Sequence, residues 1–195
     1  MKSSSPFSRR FQLRALMLAC LFLFFKGEAI NLSFGFGAGW RKLNDRYLRE
    51  VYGDGYVFIP QAQLQLSRFV SIEIAYEGGY EKRAAIGIYQ EPSTLKIAGW
   101  EFSGLCHYSF RGFRPFAKFG LGYYGYRQDI DSPHVPWRVN HHHFSFQAGT
   151  GVCFLFGSKF YFQPEIKFVW LKVKPFNQQV DLGGWRYIIS LGYRL

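Results

Sequence analysis

Beyond residue 29, apolar residues alternate with small or polar ones at period 2, the signature of strands whose side chains point to opposite faces. The run GGWRYIISLGYRL (183–195) is the clearest. Trp185, Tyr187, Ile189, Leu191, Tyr193 and Leu195 share one face; Gly184, Arg186, Ser190 and Gly192 share the other, with Ile188 the one intruder. The same alternation predicts strands at 30–40, 56–67, 71–80, 96–108, 116–126, 143–155 and 159–171. Long polar connections are expected at 41–55, 81–95, 127–142 and 172–182, although AAIGIY (84–89) is able to extend a strand. Short ones are expected at 67–71, 109–115 and 156–159. Eight strands with connections alternating long and short predict an all-β fold: an eight-stranded antiparallel up-and-down transmembrane β-barrel, its short turns periplasmic and its long loops outside.

Volume decides which face points outward. The apolar face carries Phe34, Phe36, Trp40, Phe102, Phe144, Phe146, Phe162 and Trp170, among others. An eight-stranded barrel has an interior only just wide enough for ordinary side chains, so these rings belong outside, in lipid. They also sort by height. Trp40, Tyr80, Trp100, Tyr123, Trp170 and Trp185 are expected as a girdle near the long loops, and Phe69, Phe110, Phe113, Phe116, Phe156 and Phe160 near the short turns.

Composition adds a leader and a charge balance. Residues 1–29 read as a cleaved signal peptide: Arg9, Arg10 and Arg14 flank the apolar run ALMLACLFLFF (15–25), and Gly27-Glu28-Ala29 supplies small residues for cleavage. Residues 30–195 then form one barrel domain. Two cysteines remain, Cys106 and Cys153; their registers put them on opposite faces, against a disulfide. The mature part keeps 19 bases and 12 acids. This excess is spread along the sequence, which argues against nucleic acid and suits anionic lipid headgroups.

The segments PFAKFGLGYYGYR (115–127), FSFQAGTGVCF (144–154) and YIISLGYRL (187–195) resemble the small outer-membrane β-barrel domain family of the OmpA/OmpX type. The resemblance covers essentially all of 30–195. It implies a bacterial, Gram-negative outer-membrane location, lipid or lipopolysaccharide surroundings, and a monomer. Tyr187, Ile189, Leu191, Tyr193 and Leu195 are similar to the signal that the barrel assembly machinery reads in a closing strand, with Leu195 standing where Phe is usual.

The inward face carries four acids, Glu73, Glu77, Glu101 and Glu165, and four bases, Lys118, Lys167, Arg186 and Arg194. Equal numbers suggest a paired network that plugs the lumen. Pairs are expected between neighbouring strands, Glu165 or Lys167 with Arg186 or Arg194, and Lys118 near Glu73, Glu77 and Glu101. His134, His141, His142 and His143 invite a metal reading, yet consecutive strand residues alternate faces, and a solvated rim is the simpler account. His107-Tyr108-Ser109 and His143-Phe144-Ser145 invite comparison with lipid A deacylases of the PagL type. In that family, however, the pair lies on the penultimate strand, which here reads EIKFVWLK (165–172). The sequence thus favours a non-enzymatic barrel without catalytic residues, cofactor or metal, in a structural or surface-interaction role. A narrow porin-like channel is the alternative.

Overall fold

The computed structural model describes residues 31–87, 89–131, 137–174 and 179–195. The expected leader and His134 lie outside the described residues. Eight long strands close into one antiparallel barrel: β1 (Asn31–Leu43), β2 (Gly55–Gln65), β3 (Val70–Ile86), β4 (Glu91–His107), β5 (Phe113–Ile130), β6 (Trp137–Phe156), β7 (Phe160–Trp170) and β10 (Gly184–Arg194). The order around the wall is β1-β10-β7-β6-β5-β4-β3-β2, so the closing strand seals against the first. Closure leaves no free edge in lipid, where an unpaired backbone group would be costly.

The alternation places its faces as expected. Phe34, Phe36, Trp40, Phe102, Leu121, Phe146 and Leu191 stand exposed on the outside, while Glu73, Glu101, Lys118, Gln163 and Arg186 are buried within. Cys106 is exposed outside, and Cys153 faces the interior on β6, so the two thiols are free and on opposite faces.

Two of the expected long connections are instead strand. β3 and β4 continue upward in register as far as Ile86 opposite Glu91, and β5 and β6 as far as Ile130 opposite Trp137. The β3–β4 hairpin turns at Gly87, whose positive φ of 71° suits a residue without Cβ. The barrel is therefore lopsided. Four tall strands of 17 to 20 residues rise as a sheet on one side, above four shorter ones of 11 to 13.

The short side is roofed rather than open. Between β1 and β2 lies a helix, α1 (Arg46–Tyr52). Asp45 caps it by accepting the Leu48 N–H at 3.1 Å, and Gly53 ends it at φ 73°. Between β7 and β10, a two-stranded ribbon pairs β8 (Lys172–Val173) with β9 (Val180–Asp181). From α1, Tyr52 turns inward, where its hydroxyl meets Ser93 Oγ at 2.7 Å and accepts from Gln128 Nε2 at 2.7 Å. Leu48, Tyr52, Leu171, Val173 and Leu182 from the roof pack on Leu43, Val57, Leu95, Ile97, Tyr126 and Val139 from the wall. Each such aliphatic or aromatic side chain contributes roughly 1.5–3 kcal/mol on burial. These residues close the outer end of the lumen with an apolar core.

Candidate functional site

Below that core lies a charged layer built by two opposing walls. Arg41, Arg186 and Lys167 sit side by side on β1, β10 and β7, in direct register. Across the lumen stand Glu77 on β3 and Glu101 on β4, on the neighbouring face. Like charges in register repel; the opposite wall offsets this. Glu77 accepts from Arg41 Nη1 at 3.2 Å and from Arg186 Nε at 3.1 and 3.2 Å. Lys167 Nζ donates to both Glu101 oxygens at 2.7 and 2.6 Å and lies 3.6 Å from Glu77. The Tyr124 hydroxyl bridges Glu77 and Glu101. One layer lower, Lys118 Nζ joins Glu73 at 2.9 Å and Glu165 at 2.6 Å. Every member of both layers is buried.

Four expectations change here. Among the described residues, every ion pair inside the lumen joins strands that are not hydrogen-bonded neighbours. The lumen is narrow enough for inward side chains to meet across the axis, whereas neighbouring positions carry like charge. The fourth base of the network is Arg41, the first residue of the polar connection expected at 41–55. It is fully buried and also donates to the Leu182 carbonyl at 2.6 Å. Arg194 points inward but lies at the far mouth, without an ion pair among the described residues. Tyr80, expected in the outer girdle, is 2% exposed inside the lumen, with Arg41 above its ring at 4.9 Å. The cause is a β-bulge: the register shifts between Glu77 and Tyr80, and Gly79 takes a φ of 88°. One extra residue flips every later side chain of β3 to the other face.

Trp40, Trp100, Tyr123, Trp170 and Trp185 stand exposed on the outer surface, as do Tyr187, Ile189, Leu191 and Leu195 on the closing strand. Tyr193 is half-buried on that face, edge-on to Phe160 at 5.3 Å. Lower in the lumen, Tyr161 lies against β1 and β10, where a Cβ on Gly35 or Gly192 would collide with its ring.

His107 Nε2 pairs with Ser71 Oγ at 2.8 Å, not with Ser109, which accepts from Arg114 instead. No carboxylate joins that pair through a hydrogen bond or ion pair among the described residues. His141 and His143 share a face with ring centroids 6.4 Å apart, while His142 stacks on Tyr123. Among the described residues no group of three His, Cys, Asp or Glu side chains has the geometry to hold a metal ion.

A closed barrel with an aromatic exterior and a buried charged interior defines the class: a small eight-stranded outer-membrane β-barrel. Solved structures agree in fold. The outer-membrane protein OprG of Pseudomonas aeruginosa superposes with a TM-score of 0.65 at 12% identity, covering 85% of this chain and 95% of that one. Ail, the attachment invasion locus protein of Yersinia pestis, gives 0.54 at 12% identity, covering 86% and 100%. Neisserial surface protein A gives 0.54 at 12%, covering 86% and 99%. No family model matches the chain, and no curated protein matches it.

Proposed function

We propose that this chain is a non-enzymatic outer-membrane protein whose closed barrel is an anchor and whose tall sheet meets ligands from the medium. One observation carries the reading. The lumen is filled twice over, by buried ion pairs and by the apolar core above them, while β3 to β6 rise well beyond it. A solute path would have to part both layers; a binding surface needs neither to move. Two of the similar structures are an attachment invasion locus protein and a surface protein, and the former was solved with a heparin analogue, sucrose octasulfate. Those names favour a surface-interaction role for this barrel. Lys42 and Lys172 follow Trp40 and Trp170 on the outer face, where the reading gives them lipopolysaccharide phosphates as neighbours. The closing strand addresses the assembly machinery, and the barrel works as a monomer.

Single cysteines at Asn44, Glu91, Asp131 and Gln179, in a background lacking Cys106 and Cys153, test the exposed half of this reading. An impermeant thiol reagent should label all four on intact cells. Labelling that appears only after the envelope is disrupted would overturn it.

A further inference from the structure

The charges of the barrel are sorted by height in a way the linear sequence hides. Within the lumen the four acids Glu73, Glu77, Glu101 and Glu165 cancel the four bases Arg41, Lys118, Lys167 and Arg186. The outer end holds ten bases against eight acids. The short-turn end holds five basic side chains, Arg68, Arg111, Arg114, Lys159 and Arg194, and no acidic side chain among the described residues. Most of the net positive charge of residues 31–195 is therefore gathered at the periplasmic mouth.

Two of the five face into that mouth from nearly opposite walls. Arg114 is the second residue of β5, and its Nη1 donates to Gln65 Oε1 on β2 at 3.1 Å. Because β5 and β2 are three strands apart, this bond spans the opening. Arg194 ends β10 in the inward phase of Arg186 and Ser190, three strands from β5 around the wall of the same mouth. Cys153 is the register partner of Arg114 on β6. Ser71 Oγ lies behind His107 at 2.8 Å. Neither arginine has a carboxylate partner among the described residues. Two inward guanidinium forks at one polar opening, without a carboxylate partner, match a tetrahedral oxyanion, which accepts paired N–H donors from each.

We propose that the periplasmic mouth of the barrel is an oxyanion site of the phosphate class, held by Arg114 and Arg194 with Gln65 as the positioning residue for Arg114. Two sources supply that chemistry at this height: the headgroup phosphate of an inner-leaflet phospholipid, and a soluble phosphate in the periplasm. Outward-facing Arg68 and Lys159 lie over the Phe69 and Tyr193 rings at 4.5 and 5.7 Å and belong to the lipid-facing rim, outside the site.

The test is calorimetric titration of the refolded full barrel in zwitterionic micelles, with inorganic phosphate in one arm and dihexanoylphosphatidylglycerol in the other. Saturable binding of about one anion per barrel is expected in at least one arm. Binding in the phosphate arm identifies a site that a soluble anion fills; binding confined to the lipid arm identifies a headgroup site. In either case the double variant Arg114→Gln, Arg194→Gln should bind at least tenfold more weakly, and Arg114→Lys should fall between. The double variant Arg68→Gln, Lys159→Gln should bind as the wild type does. Heat-modifiable gel migration confirms that each variant is folded. Absence of saturable binding in both arms would overturn the proposal, as would binding unchanged by the Arg114/Arg194 pair of substitutions.

Discussion

Glu77 is the hub of the lumen, and Glu77→Gln is the perturbation that interrogates it most sharply. The carboxylate is fully buried and takes two bonds from Arg186, one from Arg41 and one from Tyr124, with Lys167 at 3.6 Å. The neutral amide keeps the volume but leaves Arg41 and Arg186, both fully buried and in register with each other, without their anion. Lys167 retains Glu101 and is less affected. Removing one partner of a buried pair costs about 3–5 kcal/mol, because the remaining charge stays desolvated. The loss should thus be a large fraction of a typical stability of about 5–15 kcal/mol. Adding Arg186→Gln removes one of the stranded cations, so the double variant should lose less than the sum of the singles. A coupling of about 0.5–3 kcal/mol is the range for such contacting groups. Reversible urea unfolding in lipid vesicles, followed by tryptophan fluorescence, measures all three. A loss below about 1 kcal/mol, the range of exposed pairs, with additive singles would show that the ion pairs are hydrated and the lumen wet.

The outer face and the tall sheet make separate predictions. Leu121 and Phe146 are register partners exposed on the barrel exterior; an Arg at either should cost about 2–4 kcal/mol near the bilayer midplane. Arg in place of inward-facing Gln63 should cost less in the same vesicle assay, and a larger cost at Gln63 than at Leu121 and Phe146 would reverse the faces. At the tip of the tall sheet, Asp129 binds Arg127 and Arg138 at 2.7 Å each. Desolvation by burial pushes its carboxyl up, but the hydrogen bonds and charges of Arg127 and Arg138 together outweigh it and hold the carboxyl below the ordinary value. A depressed folded value stabilises the β5–β6 tip above the unfolded pKa of about 3.9, and that contribution is lost as pH falls through the lower folded value. Protection of the tip amides, taken as the exchange rate relative to the intrinsic rate at each pH, should therefore fall below about pH 4 in the wild type, and Asp129→Asn should abolish the step.

How far the alternation could be trusted depended on what each face met. In lipid the contrast between ring and glycine is strong, so the eight strands, their faces and seven of the eight lumen charges followed from period 2. Above the membrane the outer face is wet, the contrast fades, and the tops of β3 to β6 resembled polar loops. Arg41 was nonetheless within reach: extending the phase of Gly35, Gly37 and Gly39 by one step places it inward. Tyr80 was misplaced because a Gly78-Gly79 pair fits a small lumen-facing position as readily as a bulge. Arg194 shows the limit of phase, which assigns a face but not a partner at a given height. The roof over the lumen had no periodic signal at all. A seven-residue helix and a two-residue ribbon are too short to announce themselves, and their apolar residues acquire meaning only once Leu95, Ile97 and Val139 stand opposite.

The closed lumen is the central claim, and planar-bilayer recording of the purified, refolded wild type tests it most directly. With the ion-pair layers and the apolar core both in place, the trace should show at most small, rare openings. Neutralising Lys118 or Arg186 should raise their frequency by unlocking one layer. A large, stable, continuously open conductance in the unmodified protein would contradict the account and make the barrel a channel.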